Sequence, residues 1–291
     1  MLASNDRGAS CGEAEIRPVE PDPVRTGEGR KVPAPVALTI ASSDSGGGAG
    51  IQADLKAFAA AGCHGTSVIV ALTAQNTTAV AAVHELPPEF VSAQLTSVFA
   101  DFAVGAAKTG MLFSRRLIET VADFLDEHRV PLVVDPVMVA SSGARLLEED
   151  AVELLVERLF PLATVVTPNL PEAQALTGLD VEDRRALTER LVELGAAAAL
   201  VTGGHGEHPI DHLFDHETHL DLPTRRVDVA ATHGAGCTHS ATLAAVLARG
   251  DDLVTAAAIA GATASDAVAH GLADLGAGDG PVDVFHLAGA R

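Results

Sequence analysis

The sequence predicts an α/β fold, a central and mostly parallel sheet flanked by helices on both faces. Three observations predict it. Short apolar runs of strand length alternate with segments whose apolar residues recur at helical spacing. Such alternation is the pattern of a parallel sheet covered on both sides. After the first 34 residues no break resembles a linker, so one domain is expected from about residue 35 to 291.

The elements follow in order. Residues 1–34 are rich in Gly, Pro and charge and have no apolar period. The run Arg17-Pro18-Val19-Glu20-Pro21-Asp22-Pro23 suits neither a helix nor a central strand, so this segment is expected to be a disordered extension. Val36 to Ala41 is a buried-strand candidate. Gly46-Gly47-Gly48-Ala49-Gly50 follows it, and then Ile51, Leu55 and Phe58 recur as on a helix that Gly62 stops. Strands are expected at Ser67–Leu72, Gly105–Thr109, Leu132–Val134, Thr164–Thr167 and Ala198–Thr202. Helices are expected at Arg115–His128, Glu148–Leu159, Pro171–Leu176 and Asp183–Leu194. His212–Val227 alternates enough for a hairpin or edge strands, and Ala235–Arg249 and Leu253–His270 read as two Ala-rich helices.

Composition narrows the function. The formal charge is −20, and such a surface repels phosphate backbones, so nucleic acid is not an expected partner. No apolar stretch reaches the length of a membrane span and the start does not read as a secretory signal, so the expectation is cytoplasmic, with no membrane partner. Only three lysines occur, Lys31, Lys56 and Lys108. Life in concentrated salt and a genome favouring Arg codons both account for that, and composition does not separate them. Cys11, Cys63 and Cys237 form no C-x-x-C pair, so neither a disulfide framework nor a thiolate zinc site is expected. His205, His208 and His212 have helical metal-ligand spacing, but Gly203, Gly204, Gly206 and Pro209 favour a solvated loop.

Ligands of open α/β sheets bind beyond the carboxyl ends of the strands. Three segments there carry chemistry. Asp44 to Gly50 feeds a helix and reads as a tight turn or an anion site; it is neither a P-loop nor a G-x-G-x-x-G fingerprint. Thr232-His233-Gly234-Ala235-Gly236-Cys237-Thr238 opens a helix whose successive N–H groups suit an anion. Cys237 falls in the first turn, where a thiol pKa is expected to drop. In Thr167-Pro168-Asn169-Leu170-Pro171-Glu172, Asn169 and Glu172 have the spacing of a capping box, and Glu172 is also a candidate metal-associated carboxylate.

Taken together and in order, the segments resemble a known family. The run Ala37 to Lys56 resembles the opening of hydroxymethylpyrimidine/phosphomethylpyrimidine kinases. So do Ala74-Gln75-Asn76-Thr77, Ala107-Lys108-Thr109-Gly110-Met111-Leu112, Val134-Asp135-Pro136-Val137-Met138, Thr167 to Ala173, Gly203-Gly204-His205 and His233 to Cys237. The likeness spans about residue 36 to the C-terminus; each piece is weak, and the ordered set is specific.

The resemblance implies a ribokinase-like fold and ATP-dependent phosphorylation, with Mg²⁺, of 4-amino-5-hydroxymethyl-2-methylpyrimidine and then of its monophosphate. It implies that Gln75 holds the pyrimidine, with Asp54, Met111 and Ser42 lining its pocket. It places Asn169, Glu172 and Asp135 with the nucleotide phosphates and Mg²⁺, and Gly234, Ala235 and Gly236 at the anion hole. It puts Cys237 in the position of the catalytic base, and it implies a homodimer. One position departs: family members often carry Lys before Gly-Gly-His, whereas this chain has Thr202. Thr202 supplies a hydrogen bond and no charge, so K⁺ or extra Mg²⁺ is the candidate replacement. Pyridoxal kinase of the same fold and a non-catalytic pyrimidine-binding protein are the competing expectations.

Overall fold

The computed structural model describes residues 34–138, 149–204, 209–225, 227, 229 and 231–289. The expected N-terminal extension, except for Ala34, and the histidines His205 and His208 lie outside these residues.

Nine strands form one sheet. They are β1 (Val36–Asp44), β2 (His64–Gln75), β3 (Val80–Glu85), β4 (Val104–Thr109), β5 (Leu132–Val134), β6 (Val165–Val166), β7 (Ala199–Val201), β8 (Ile210–Phe214) and β9 (His219–Pro223). Their order across the sheet is β3-β2-β1-β4-β5-β6-β7-β8-β9. The six strands from β2 to β7 pair in parallel, and antiparallel strands close both edges. The chain moves outward from β1 to β2 and β3, then returns to place β4 on the other side of β1. The switch point, where a crevice opens beyond the carboxyl ends, therefore lies between β1 and β4.

The helices are α1 (Gly50–Ala60), α2 (Pro88–Asp101), α3 (Arg115–Glu127), α4 (Glu149–Leu159), α5 (Leu170–Thr177), α6 (Arg184–Glu193), α7 (Ala235–Ala248) and α8 (Leu253–Ala269). One face of the sheet packs on α2 to α6 through large side chains such as Leu38, Ile40, Leu95, Ile118, Leu159 and Leu187. The other face packs on α1, α7 and α8 through small ones, with Ala57, Ala241, Ala244, Ala256 and Ala260 around Phe58 and Leu243. Small residues let α7 approach the sheet closely. Gly105 of β4 shows this: a β-carbon there would sit 2.8 Å from the Ala248 carbonyl oxygen.

Every strand and helix expected from the pattern is present. Two elements were not expected, β3 and α2. The side chains of β3 are exposed or half-exposed along its length, and α2 buries only Val91 and Leu95 fully. Neither therefore carries a clear apolar period. His212, expected both to follow a solvated loop and to open a hairpin, stands on β8 with its ring buried. No helix among the described residues is long and apolar enough to cross a membrane.

Candidate active site

The candidate residues fall at the carboxyl ends of the parallel strands and on the helices that follow. Ser42 sits at an irregularity of β1, between Ala41 and Ser43, where the register with β2 shifts. A bulge re-aims a side chain, and the Ser42 hydroxyl lies 3.4 Å from Met111 Sδ, just past β4. Gln75 ends β2, and its side-chain oxygen accepts a 3.1 Å bond from Thr73. A concavity of about 300 Å³ is lined by Gln75, Asn76, Thr77, Thr78, His233, Gly278 and Asp279. Of the four residues assigned to a pyrimidine, only Gln75 borders it.

The two glycine-rich segments interlock. The Asp44 carboxylate accepts from the N–H groups of Gly46 (2.7 Å), Gly48 (3.0 Å) and Ala49 (2.9 Å). It also pairs with His233 Nε2 at 3.1 Å. Burial alone would raise the Asp44 pKa, but the His233 ring and these amides outweigh it and hold the carboxyl below its usual range. The first glycine loop thus spends the amides of Gly46, Gly48 and Ala49 on its own carboxylate. The segment forms a tight turn, and it packs closely on the second loop. A β-carbon on Gly48 would meet the His233 ring at 2.1 Å, and one on Gly234 would meet the Gly48 carbonyl at 1.9 Å.

The second loop opens α7. Gly234 is the N-cap in the left-handed region (φ 84°), with no side-chain cap on the helix start. The Ala235 N–H turns back to the Thr232 carbonyl at 3.0 Å. Among the described residues no acceptor is bonded to the N–H of Gly236 or Cys237. Of the three residues assigned to the anion hole, Gly236 therefore offers an open donor, Gly234 shapes the turn, and Ala235 has its amide already committed. The Cys237 amide is the donor that the resemblance did not assign.

Cys237 also brings a correction. A first-turn thiol was expected to have a lowered pKa, yet here it is pushed up to about 12. Burial of the sulfur is the largest cause, and the Asp54 and Asp135 carboxylates add to it. The Lys108 ammonium and the Gly50 N–H oppose them without prevailing. Although the residue as a whole keeps some solvent contact, its sulfur is turned inward.

Beneath Cys237 lies a charge cluster in which Lys108 was not given a role from sequence. Lys108, on β4, is fully buried, with Nζ 2.9 Å from Asp54 Oδ1 and 3.6 Å from Asp135 Oδ2. Asp54 accepts a further 2.6 Å bond from Thr39, and Asp135 accepts 2.7 Å from Ser240. Burial acts on the two partners in conflicting ways. It raises the Asp54 pKa, whereas around Lys108 the carboxylates outweigh it and hold the ammonium protonated. The 2.9 Å contact, with a second carboxylate beside it, is that of an ion pair, so both groups are taken as charged. Asp54 is fully enclosed, with both oxygens engaged. It therefore stands behind the crevice rather than on its wall. The signal for Lys108 was present in the sequence, a rare lysine inside an apolar strand.

On the far side, α5 begins with a complete capping box. Asn169 Oδ1 accepts from the Glu172 N–H and Glu172 Oε2 from the Asn169 N–H, both at 3.0 Å. The Glu172 carboxyl is pushed up to about 8, by burial first and then by the Asp135 charge. Two carboxylates that repel each other fit a divalent ion. Asp135 and Glu172 are the residues that would hold Mg²⁺. Thr202 pairs with Asn169 across the ends of β6 and β7, its N–H donating to the Pro168 carbonyl at 3.0 Å. The departure from Lys thus stands beside the α5 start. His205 of the same motif lies outside the described residues.

Known proteins share this arrangement. The sequence profile of the phosphomethylpyrimidine kinase family matches residues 44–283. A hydroxymethylpyrimidine/phosphomethylpyrimidine kinase from Rhizobium meliloti is 49% identical over 258 residues, 86% of this chain and 97% of the relative. Among solved structures, an ADP complex of Bacillus subtilis pyridoxal kinase superposes with a TM-score of 0.81 at 36% identity, over 88% of this chain and 99% of that one. A phosphomethylpyrimidine kinase from Clostridium difficile superposes with a TM-score of 0.70 at 39% identity, over 78% and 96%. With the fold, the ordered motifs and the family profile in agreement, the chain belongs to the phosphomethylpyrimidine kinase family, and its fold is ribokinase-like.

Proposed function

We propose that this chain transfers the γ-phosphoryl group of ATP to the hydroxymethyl oxygen of 4-amino-5-hydroxymethyl-2-methylpyrimidine, and then phosphorylates the monophosphate, for thiamine biosynthesis. The observation that carries the reading is the start of α7, where, among the described residues, no acceptor is bonded to the N–H of Gly236 or Cys237 and the Cys237 sulfur lies buried near Lys108 and Asp135. The names of the relatives support the substrate class.

Phosphoryl transfer asks the protein mainly for positioning and charge neutralisation. The N–H groups of Gly236 and Cys237 stabilise charge on the group in transit. Gln75, whose amide both donates and accepts, orients the aminopyrimidine, with Ser42 and Met111 beside it. Asp54 supports that wall from behind through Lys108. Asn169 and Thr202 face the nucleotide side. When bound at Asp135 and Glu172, Mg²⁺ neutralises phosphate charge. Cys237 accepts the hydroxymethyl proton as the oxygen–phosphorus bond forms and ADP leaves. Because its thiol stays protonated at neutral pH in the unliganded chain, thiolate formation must accompany substrate binding. K⁺ is a candidate for the charge that Thr202 does not supply. A homodimer in the cytoplasm is the expected setting.

The test is product analysis with ATP and Mg²⁺. Conversion of the pyrimidine to mono- and then diphosphate supports the reading. The superposition on a pyridoxal kinase favours a second substrate, pyridoxal, and catalytic efficiencies measured side by side decide between them. Binding of the pyrimidine with no turnover of either substrate would point to a binding protein on a kinase fold.

A further inference from the structure

A second cluster of chemistry lies at the far end of α8. Asp266 and His270 are four residues apart on its last turn and share a face. The chain returns here after α8. Asp283 is buried, and its N–H donates to the Ala267 carbonyl at 2.9 Å, pinning the turn to the helix. Phe285 N–H closes onto Asp283 Oδ1 at 3.1 Å. His286 then adopts a left-handed backbone (φ 53°), which a β-carbon resists, and its ring comes back over the helix end. His286 Nε2 lies 2.7 Å from Asp266 Oδ2, and His270 Nδ1 lies 3.5 Å from Asp266 Oδ1. The two rings stack with centroids 3.9 Å apart. One donor atom from each residue falls within 4.8 Å of the others, and all three side chains are open to solvent.

We propose that Asp266, His270 and His286 form a site for a late first-row divalent metal ion, with Zn²⁺ as its probe, clasping the C-terminal turn to the end of α8. Two imidazoles and one carboxylate suit Zn²⁺, Ni²⁺ or Cu²⁺; Mg²⁺ and Ca²⁺ prefer all-oxygen sets. Among the described residues, the ion-pair partners of Asp266 are these two histidines, so no lysine or arginine occupies the place of the metal. In the metal-free chain His286 Nε2 lies 2.7 Å from the carboxylate, whereas His270 Nδ1 lies 2.9 Å from the Asp266 backbone carbonyl. The cation takes the place of the proton on one nitrogen of each ring, and water completes the coordination. The clasp reaches the kinase site by the backbone. The same return segment pairs Pro281 with His233 and bonds Asp279 to Thr232, the residues just before α7.

The experiment uses the full chain without an affinity tag, stripped with chelator and titrated calorimetrically with Zn²⁺ at about pH 7.5 in excess Mg²⁺. Since the chain has 12 histidines, His205→Gln/His208→Gln serves as a control. The expected result is one zinc per chain, unchanged in the control and weakened roughly tenfold or more by His270→Gln or His286→Gln. Co²⁺ should give a visible absorption band that the same two variants lose. Zinc should also raise the melting temperature of the wild type and not that of His270→Gln/His286→Gln. Zinc binding that persists unchanged in this double variant, or is lost in the control instead, overturns the proposal, as does a wild type that binds none. Both histidines are exposed, so an unchanged metal-free melting temperature shows that the variants still fold.

Discussion

The starts of α5 and α7 are finished in opposite ways. The start of α5 satisfies itself: Asn169 and Glu172 exchange two bonds, so both a free amide and a carboxylate oxygen are consumed. The start of α7 is left open. Its N-cap is a glycine without a side chain, and no cap bond covers the first turn. A glycine in place of a capping side chain normally costs only a few tenths of a kcal/mol. The chain tolerates that cost at α7 because Gly234 is locked against Gly48, and Gly48 against His233 and Asp44. Under the proposed function the difference divides the work: the open start would receive a phosphate in transit, and the closed start would hold a carboxylate in place for a cation.

Removing the functional group from the open start has the largest expected effect. Cys237→Ala should lower kcat by about 10²–10⁴-fold, the usual contribution of a general base, with an unchanged melting temperature. The wild-type kcat/KM should rise from neutral into alkaline pH, because in the unliganded chain the thiol is held up to about 12 and each pH unit below that removes about nine-tenths of the remaining thiolate. The kcat should be flatter, since thiolate formation accompanies substrate binding; a kcat that rises as steeply would show that binding does not bring the thiol down. Closing the open start comes next. Gly234→Ala places a β-carbon 1.9 Å from the Gly48 carbonyl at φ 84°. It should displace the anion hole and cost about 10²–10³-fold in kcat. It should also cost about 1–2 kcal/mol of stability from the left-handed backbone. A folded Gly234→Ala with full activity would remove the distinction between the two helix starts.

The open start was legible in the sequence and its electrostatics were not. Gly234 and Gly236 around a cysteine, just before an Ala-rich run, announce a helix entered by close approach. The pKa of Cys237 depends on Asp54, Lys108 and Asp135, which come from α1, β4 and the end of β5 and meet only in the folded sheet. Local position predicted a lowered thiol; burial of the sulfur in the folded chain, with the two carboxylates adding to it, reversed it. The Asp44–His233 pair is equally remote, which is why the first glycine loop stood open between a turn and an anion site. The closed start was legible in full, because a capping box is written within four residues. Among the elements, β3 and α2 escaped because they bury little and their sequences carry no strong period.

Glu172 gives the next test. Its carboxyl has a usual value near 4.5 and is pushed up to about 8 in the fold. Between those values the folded chain holds a proton that the unfolded chain has released. By linkage, its contribution to stability is complete below 4.5 and is lost as pH rises through 8. The unliganded chain should therefore lose melting temperature across that window. Glu172→Gln should flatten the loss, and Mg²⁺ should flatten it in the wild type only. If Mg²⁺ acts equally on Glu172→Gln, the cation is held elsewhere.

The smallest effect separates capping from binding at the closed start. Asn169→Ala deletes the acceptor of the Glu172 N–H and should cost about 1 kcal/mol, with a fall in melting temperature of about 2–4 °C. If Asn169 also serves the nucleotide, KM for ATP rises together with that loss. Asn169→Ser divides the two, since a serine hydroxyl caps a helix as well as an amide oxygen does but reaches less far and has no N–H₂ group. Restored stability with a raised KM for ATP would place Asn169 at the nucleotide in its own right. Restoration of both would make it a cap whose work is to hold Glu172, so that α5 would act in catalysis through its carboxylate alone.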